Sequence, residues 1–65
     1  MMYKVTWMDA FKIVKKEKVD YSAALRILMN EGMEEDFAAS CLVRAKCPYE
    51  LVTEEGYLLK IKKAQ

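Results

Sequence analysis

Gly32 stands between two runs of helical spacing, and that arrangement narrows the possible folds more than any other feature of the chain. On its N-terminal side Tyr21, Ala24, Leu25 and Leu28 recur at i, i+3, i+4 and i+7, one stripe of a helix. Asp20 precedes the stripe, where a carboxylate accepts from the first unpaired backbone N–H groups. Gly32 follows it, where the left-handed turn that ends a helix costs least without a Cβ. On the C-terminal side Glu34, Glu35 and Asp36 complement the positive end of a second helix. Phe37, Ala38, Cys41, Leu42 and Ala45 form its apolar stripe, and Pro48 ends it, pushing Cys47 out of helical geometry. Asp20 to Lys46 therefore predicts helix, tight turn, helix.

The flanks carry different periods. Tyr3 and Val5 alternate with Lys4, which suits a short strand over Met1 to Val5. Thr6 and Asp9 have the spacing of a capping box, and Trp7, Ala10, Phe11 and Val14 then supply the stripe of a further helix. Met8 and Ile13 fall off that stripe, and Lys15, Lys16 and Lys18 would sit at the helix's negative end. After Pro48 the period becomes two. Tyr49, Leu51 and Thr53 share one side, Glu50 and Val52 the other, and Glu54-Glu55-Gly56 fits a three-residue hairpin loop closed by a left-handed Gly. That loop pairs Val52 with Leu58, Leu51 with Leu59, Glu50 with Lys60 and Tyr49 with Ile61. The expected fold is α+β: one domain over 1–65, with a short N-terminal strand, a three-helix core and a C-terminal β-hairpin, laid out like a winged helix.

At 65 residues the chain makes one domain that buries only ~60% of its unfolded surface. Its 54% apolar content argues against disorder. No apolar run approaches the ~20 residues that cross a bilayer, and no signal-peptide pattern opens the chain, so a cytoplasmic protein without a membrane role is expected. Histidine is absent, and Cys41 and Cys47 alone cannot close a tetrahedral zinc site, so neither metal nor cofactor is expected. Cys41 is expected to be a small buried apolar residue. Catalysis is not expected either. A base would have to be a carboxylate, and the acids occupy helix starts, caps and a turn, while the sequence makes no activating group visible for Ser22, Ser40 or Cys41.

Two binding functions remain. Ile27, Met29, Val43, Val52 and Leu58, with Met8 and Ile13, fall outside the inward stripes, and so small a fold cannot hide them all. Exposed apolar patches mark contact sites, so the first expectation is a non-catalytic interaction module that binds another protein or a second copy of itself, as a regulator or inhibitor. The alternative is a winged helix-turn-helix protein that binds DNA through Arg26, Arg44, Lys46, Lys60, Lys62 and Lys63. Against it, the net charge is only +1, and Glu34, Glu35 and Asp36 would face phosphates with like charge. Lysine on an exposed strand is also an ordinary guard against edge pairing. Leu28 to Met33, with Ala38 and Leu42, is similar to the Met-Gly-Phe loop and following helix of ubiquitin-associated domains. Met33 replaces the usual aromatic and Glu31 the usual methionine, and Pro48 stands where the third helix would follow. That resemblance implies a protein-contacting loop at Gly32 and Met33.

Overall fold

The alternation that begins at Tyr3 does not stop at Val5. In the computed structural model, which describes residues 1–43 and 49–64, Tyr3, Val5 and Trp7 all face the core from one strand, β1 (Met2–Asp9). A second strand, β2 (Lys12–Asp20), folds back along it. Two helices follow, α1 (Tyr21–Asn30) and α2 (Glu35–Val43), then β3 (Tyr49–Val52) and β4 (Leu58–Ala64). The strands form one antiparallel sheet in the order β2-β1-β4-β3, with the helices packed on one face. The expected three-helix core with an appended hairpin is therefore wrong, and the winged-helix layout falls with it, although helices and an antiparallel sheet do share the chain.

The error has a local cause. Trp7, Ala10, Phe11 and Val14 match a helical stripe by position, yet Val5, Thr6, Trp7, Ile13 and Val14 are β-branched or aromatic and fit a pleated surface. The turn between the strands is Ala10-Phe11, with Ala10 at a φ of 57°, and neither residue announces a turn. Thr6 lies mid-strand opposite Lys16 and Lys60, and Asp9 pairs with Lys12, so the expected capping box does not form. Lys15, Lys16 and Lys18 lie on an edge strand rather than at a helix end. Trp7 opposes Lys15 while Met8 opposes Ile13, which leaves Val14 as the extra residue of a bulge.

The helix pair around Gly32 forms as its caps dictate. Asp20 Oδ1 accepts from the Ala23 N–H at 2.9 Å. Gly32 adopts a φ of 94°, and the Met33 N–H returns to the Leu28 carbonyl at 3.4 Å, satisfying a carbonyl that the helix end would orphan. The expected end of the second helix at Cys47 and Pro48 lies outside the described residues. The strands β3 and β4 follow where the ubiquitin-associated resemblance implies a third helix.

The C-terminal strands take the register expected of them, Tyr49 to Ile61 through Val52 to Leu58. Gly56 N–H donates to the Thr53 carbonyl at 2.9 Å and Thr53 N–H to the Tyr57 carbonyl at 2.8 Å, closing the loop. Its Gly has a φ of 93°, which a side chain would resist. Between sheet and helices lie Tyr3, Val5, Leu28, Leu42, Leu59 and Ile61, all fully buried, with Ala24 and Ala38 allowing the helices to approach closely. Burying each of the larger aliphatic side chains contributes ~1.5–3 kcal/mol. Cys41 is buried in the same core.

Candidate functional site

A strand alternates its side chains between two faces, so the sheet that buries Tyr3, Val5 and Trp7 must present Lys4, Thr6 and Met8 on the other side. The helices cover only the first face. Across the uncovered face the registers assemble three rows. Lys18, Lys4 and Lys62 lie side by side in the first. Lys16, Thr6, Lys60 and Glu50 make the second. Ile13, Met8, Leu58 and Val52 make the third. Neighbouring strands stand ~4.8 Å apart and successive rows ~6.7 Å apart, so the lysines form a grid of charge bordered by an apolar band.

The electrostatics of the first row are unfavourable by themselves. Like charges directly opposite one another destabilise a sheet, and Lys4 lies between Lys18 and Lys62 without an acid in the row. In the second row Lys60 Nζ lies 3.6 Å from Glu50 Oε2, an exposed pair worth at most ~1 kcal/mol. Lys4, Thr6, Lys16 and Lys18 line a shallow depression beside Glu17. The helical layer carries the opposite sign, with Glu31, Glu34, Glu35 and Asp36 around the turn between the helices. A net charge of +1 thus conceals a molecule with a basic sheet face and an acidic helical end.

On the inward face, Tyr49 has its hydroxyl pKa raised, first by burial and then by the adjoining Cys41, with which it shares a hydrogen bond. The Phe37 ring meets Tyr49 edge-on, with centroids 6.5 Å apart. Among the described residues no cluster of three or more metal-ligating side chains occurs, and no helix is long and apolar enough to cross a membrane.

The sheet brings together only some of the residues singled out from sequence. Val52, 70% exposed, and Leu58 are cross-strand partners on the uncovered face, with Met8 and Ile13 completing their row. Ile27 packs against the core from α1, while Met29 and Val43 are exposed on the helices, away from that row. Lys60 and Lys62 belong to the basic grid. Lys60 is paired on both sides, with Thr6 and Glu50, so it guards no edge. Lys63 turns to the helical side, where its Nζ reaches the Val43 carbonyl at 3.5 Å. Arg26 is exposed on α1, and Arg44 and Lys46 lie outside the described residues. Lys4, Lys16 and Lys18 join the site, although Lys16 and Lys18 were expected at a helix end and Lys4 only in a short strand. The signal for Lys4 was its alternation with Tyr3 and Val5, continued through Thr6 and Trp7.

Comparison of the chain with protein-family models, curated proteins and solved structures finds no match to any of them.

Proposed function

We propose that this chain is a non-catalytic, cytoplasmic binding protein whose uncovered sheet face docks onto an acidic, partly apolar surface of another protein. The observation that carries the reading is the junction of the lysine rows with the Ile13–Met8–Leu58–Val52 band on one face. Protein interfaces combine an apolar centre with a polar rim, and complementary charge speeds encounter and sets orientation. Nucleic acid is a poorer fit. Among the described residues the face offers no arginine fork for bidentate contacts and no aromatic ring for stacking, since Trp7, Tyr3 and Tyr49 all face the helices.

The test is a comparison of partner capture by the wild-type chain, by Lys4→Glu with Lys62→Glu, and by Val52→Lys. An acidic protein held by the wild type and lost by both variants, with binding that weakens as salt rises, is the expected result. Steeply salt-dependent binding to a generic DNA duplex, unaffected by Val52→Lys, would overturn it. A concentration-dependent mass abolished by Val52→Lys would identify the partner as a second copy.

A further inference from the structure

The two outer strands of the sheet are unlike each other. One edge, β2, carries Lys12, Lys15, Lys16 and Lys18 and a bulge at Val14, the usual devices against strand addition. The other edge, β3, has none of them among its described residues, Tyr49–Val52: no lysine, no proline and no bulge, and its one charge, Glu50, is paired with Lys60. The bond from Thr53 N–H to the Tyr57 carbonyl fixes the alternation along this ladder. It makes Leu51 and Tyr49 the bonded partners of Leu59 and Ile61, and turns the N–H and C=O groups of Glu50 and Val52 outward. Among the described residues no strand pairs with that side.

A groove of ≈ 580 Å³ runs beside this edge. Met33, Phe37, Leu51 and Val52 line it, and Glu31 and Glu34 stand on its rim. Phe37 is exposed although its ring is held edge-on to Tyr49, which keeps an apolar wall upright next to the strand. An extended peptide laid along β3 would present alternate side chains to this groove, while its backbone completes the bonds of Glu50 and Val52. The rim acids select its charge.

We propose that the free edge of β3 and the adjoining groove bind an extended peptide segment that adds as a fifth strand and turns both apolar and basic side chains into the groove. A second copy of the chain is disfavoured as the occupant of a symmetric pairing, since two such edges would bring their rim acids together. The site shares Val52 with the uncovered sheet face but uses none of the lysines of that face.

The probe is a capped peptide of about eight residues in which every second side chain is valine or lysine in turn, with threonine between them, and the same peptide with glutamate in place of lysine is the control. Amide shifts and hydrogen exchange are followed by NMR. The lysine peptide should shift and protect the Glu50 and Val52 amides, and the glutamate peptide should not. Glu31→Lys with Glu34→Lys should weaken binding about tenfold. Val52→Pro should abolish it while leaving the β3–β4 ladder formed, because the lost N–H points outward, and Val52→Thr should retain it. Lys4→Glu with Lys62→Glu should leave it unchanged, which separates this site from the sheet face. Absence of binding, equal binding of the glutamate peptide at Glu50 and Val52, or concentration-dependent protection of those amides without peptide would overturn the proposal.

Discussion

The Tyr3 hydroxyl donates to the Leu42 carbonyl across 3.1 Å, inside the core, joining residues 39 positions apart. Tyr3 is near the start of β1 and Leu42 is in the last turn of α2, where carbonyls lose their helical partners. Met1 Sδ lies equally close to the hydroxyl, but a carbonyl oxygen is the stronger acceptor. Tyr3→Phe keeps the ring and removes the donor, and should cost ~1–2 kcal/mol. Urea unfolding should show a lower midpoint with an unchanged slope.

Ala10 offers a substitution of the opposite sign. At a φ of 57° its Cβ crowds the backbone, a strain of ~1–2 kcal/mol that glycine lacks. The greater freedom of glycine in the unfolded chain takes back ~0.5–1 kcal/mol. Ala10→Gly should therefore raise the melting temperature slightly, and Ala10→Val should lower it. Phe11, 99% exposed beside it, should tolerate Phe11→Ser without loss of stability.

Asp20 closes β2 and caps α1 at once. Asp20→Ala removes the acceptor for the Ala23 N–H and should cost ~0.5–2 kcal/mol, whereas Asp20→Asn, which keeps an oxygen there, should retain most of the stability. Chemical denaturation of the three proteins side by side decides this.

Above pH ~10 tyrosine ionises in the unfolded chain. Folding holds the Tyr49 proton more tightly, because burial and the neighbouring Cys41 disfavour the phenolate. This contribution is fully present below the unfolded pKa and is lost as the pH rises through the folded one. Stability of the wild type should thus fall more steeply above pH 10 than that of Tyr49→Phe, measured by denaturant titration at a series of pH values.

The row Lys18–Lys4–Lys62 predicts a divergence between stability and binding. Lys4→Glu replaces two repulsive neighbours by two attractive ones and should stabilise the sheet by ~0.2–1 kcal/mol at low salt, an effect that fades as salt rises. Partner binding through this face should weaken in the same variant. A row kept purely for structure would not show a more stable protein that binds less.

What could be read from the residues follows the reach of the signals. The α1–α2 pair and the β3–β4 register were legible because Asp20, Gly32 and Glu54-Glu55-Gly56 are local punctuation, each settling its own few residues. The β1–β2 hairpin carries none. Its turn is Ala10-Phe11, and its apolar residues happen to satisfy a helical period as well as a strand's. Pairing of β1 with β4 joins the two ends of the chain and has no local mark at all. The site shared that fate: Val52 and Leu58 were visible as a pair, but the lysines became one surface only when three strands aligned.

The separation of the lysine rows from Glu31, Glu34, Glu35 and Asp36 gives the folded chain a permanent electric moment that its near-zero net charge hides. In solution such a body turns before it touches, so a charged target is approached sheet first or helix first according to its sign. At neutral pH and low salt it should adhere to both cationic and anionic exchange resins, each gripping a different side, and unfolding in urea should abolish this double retention.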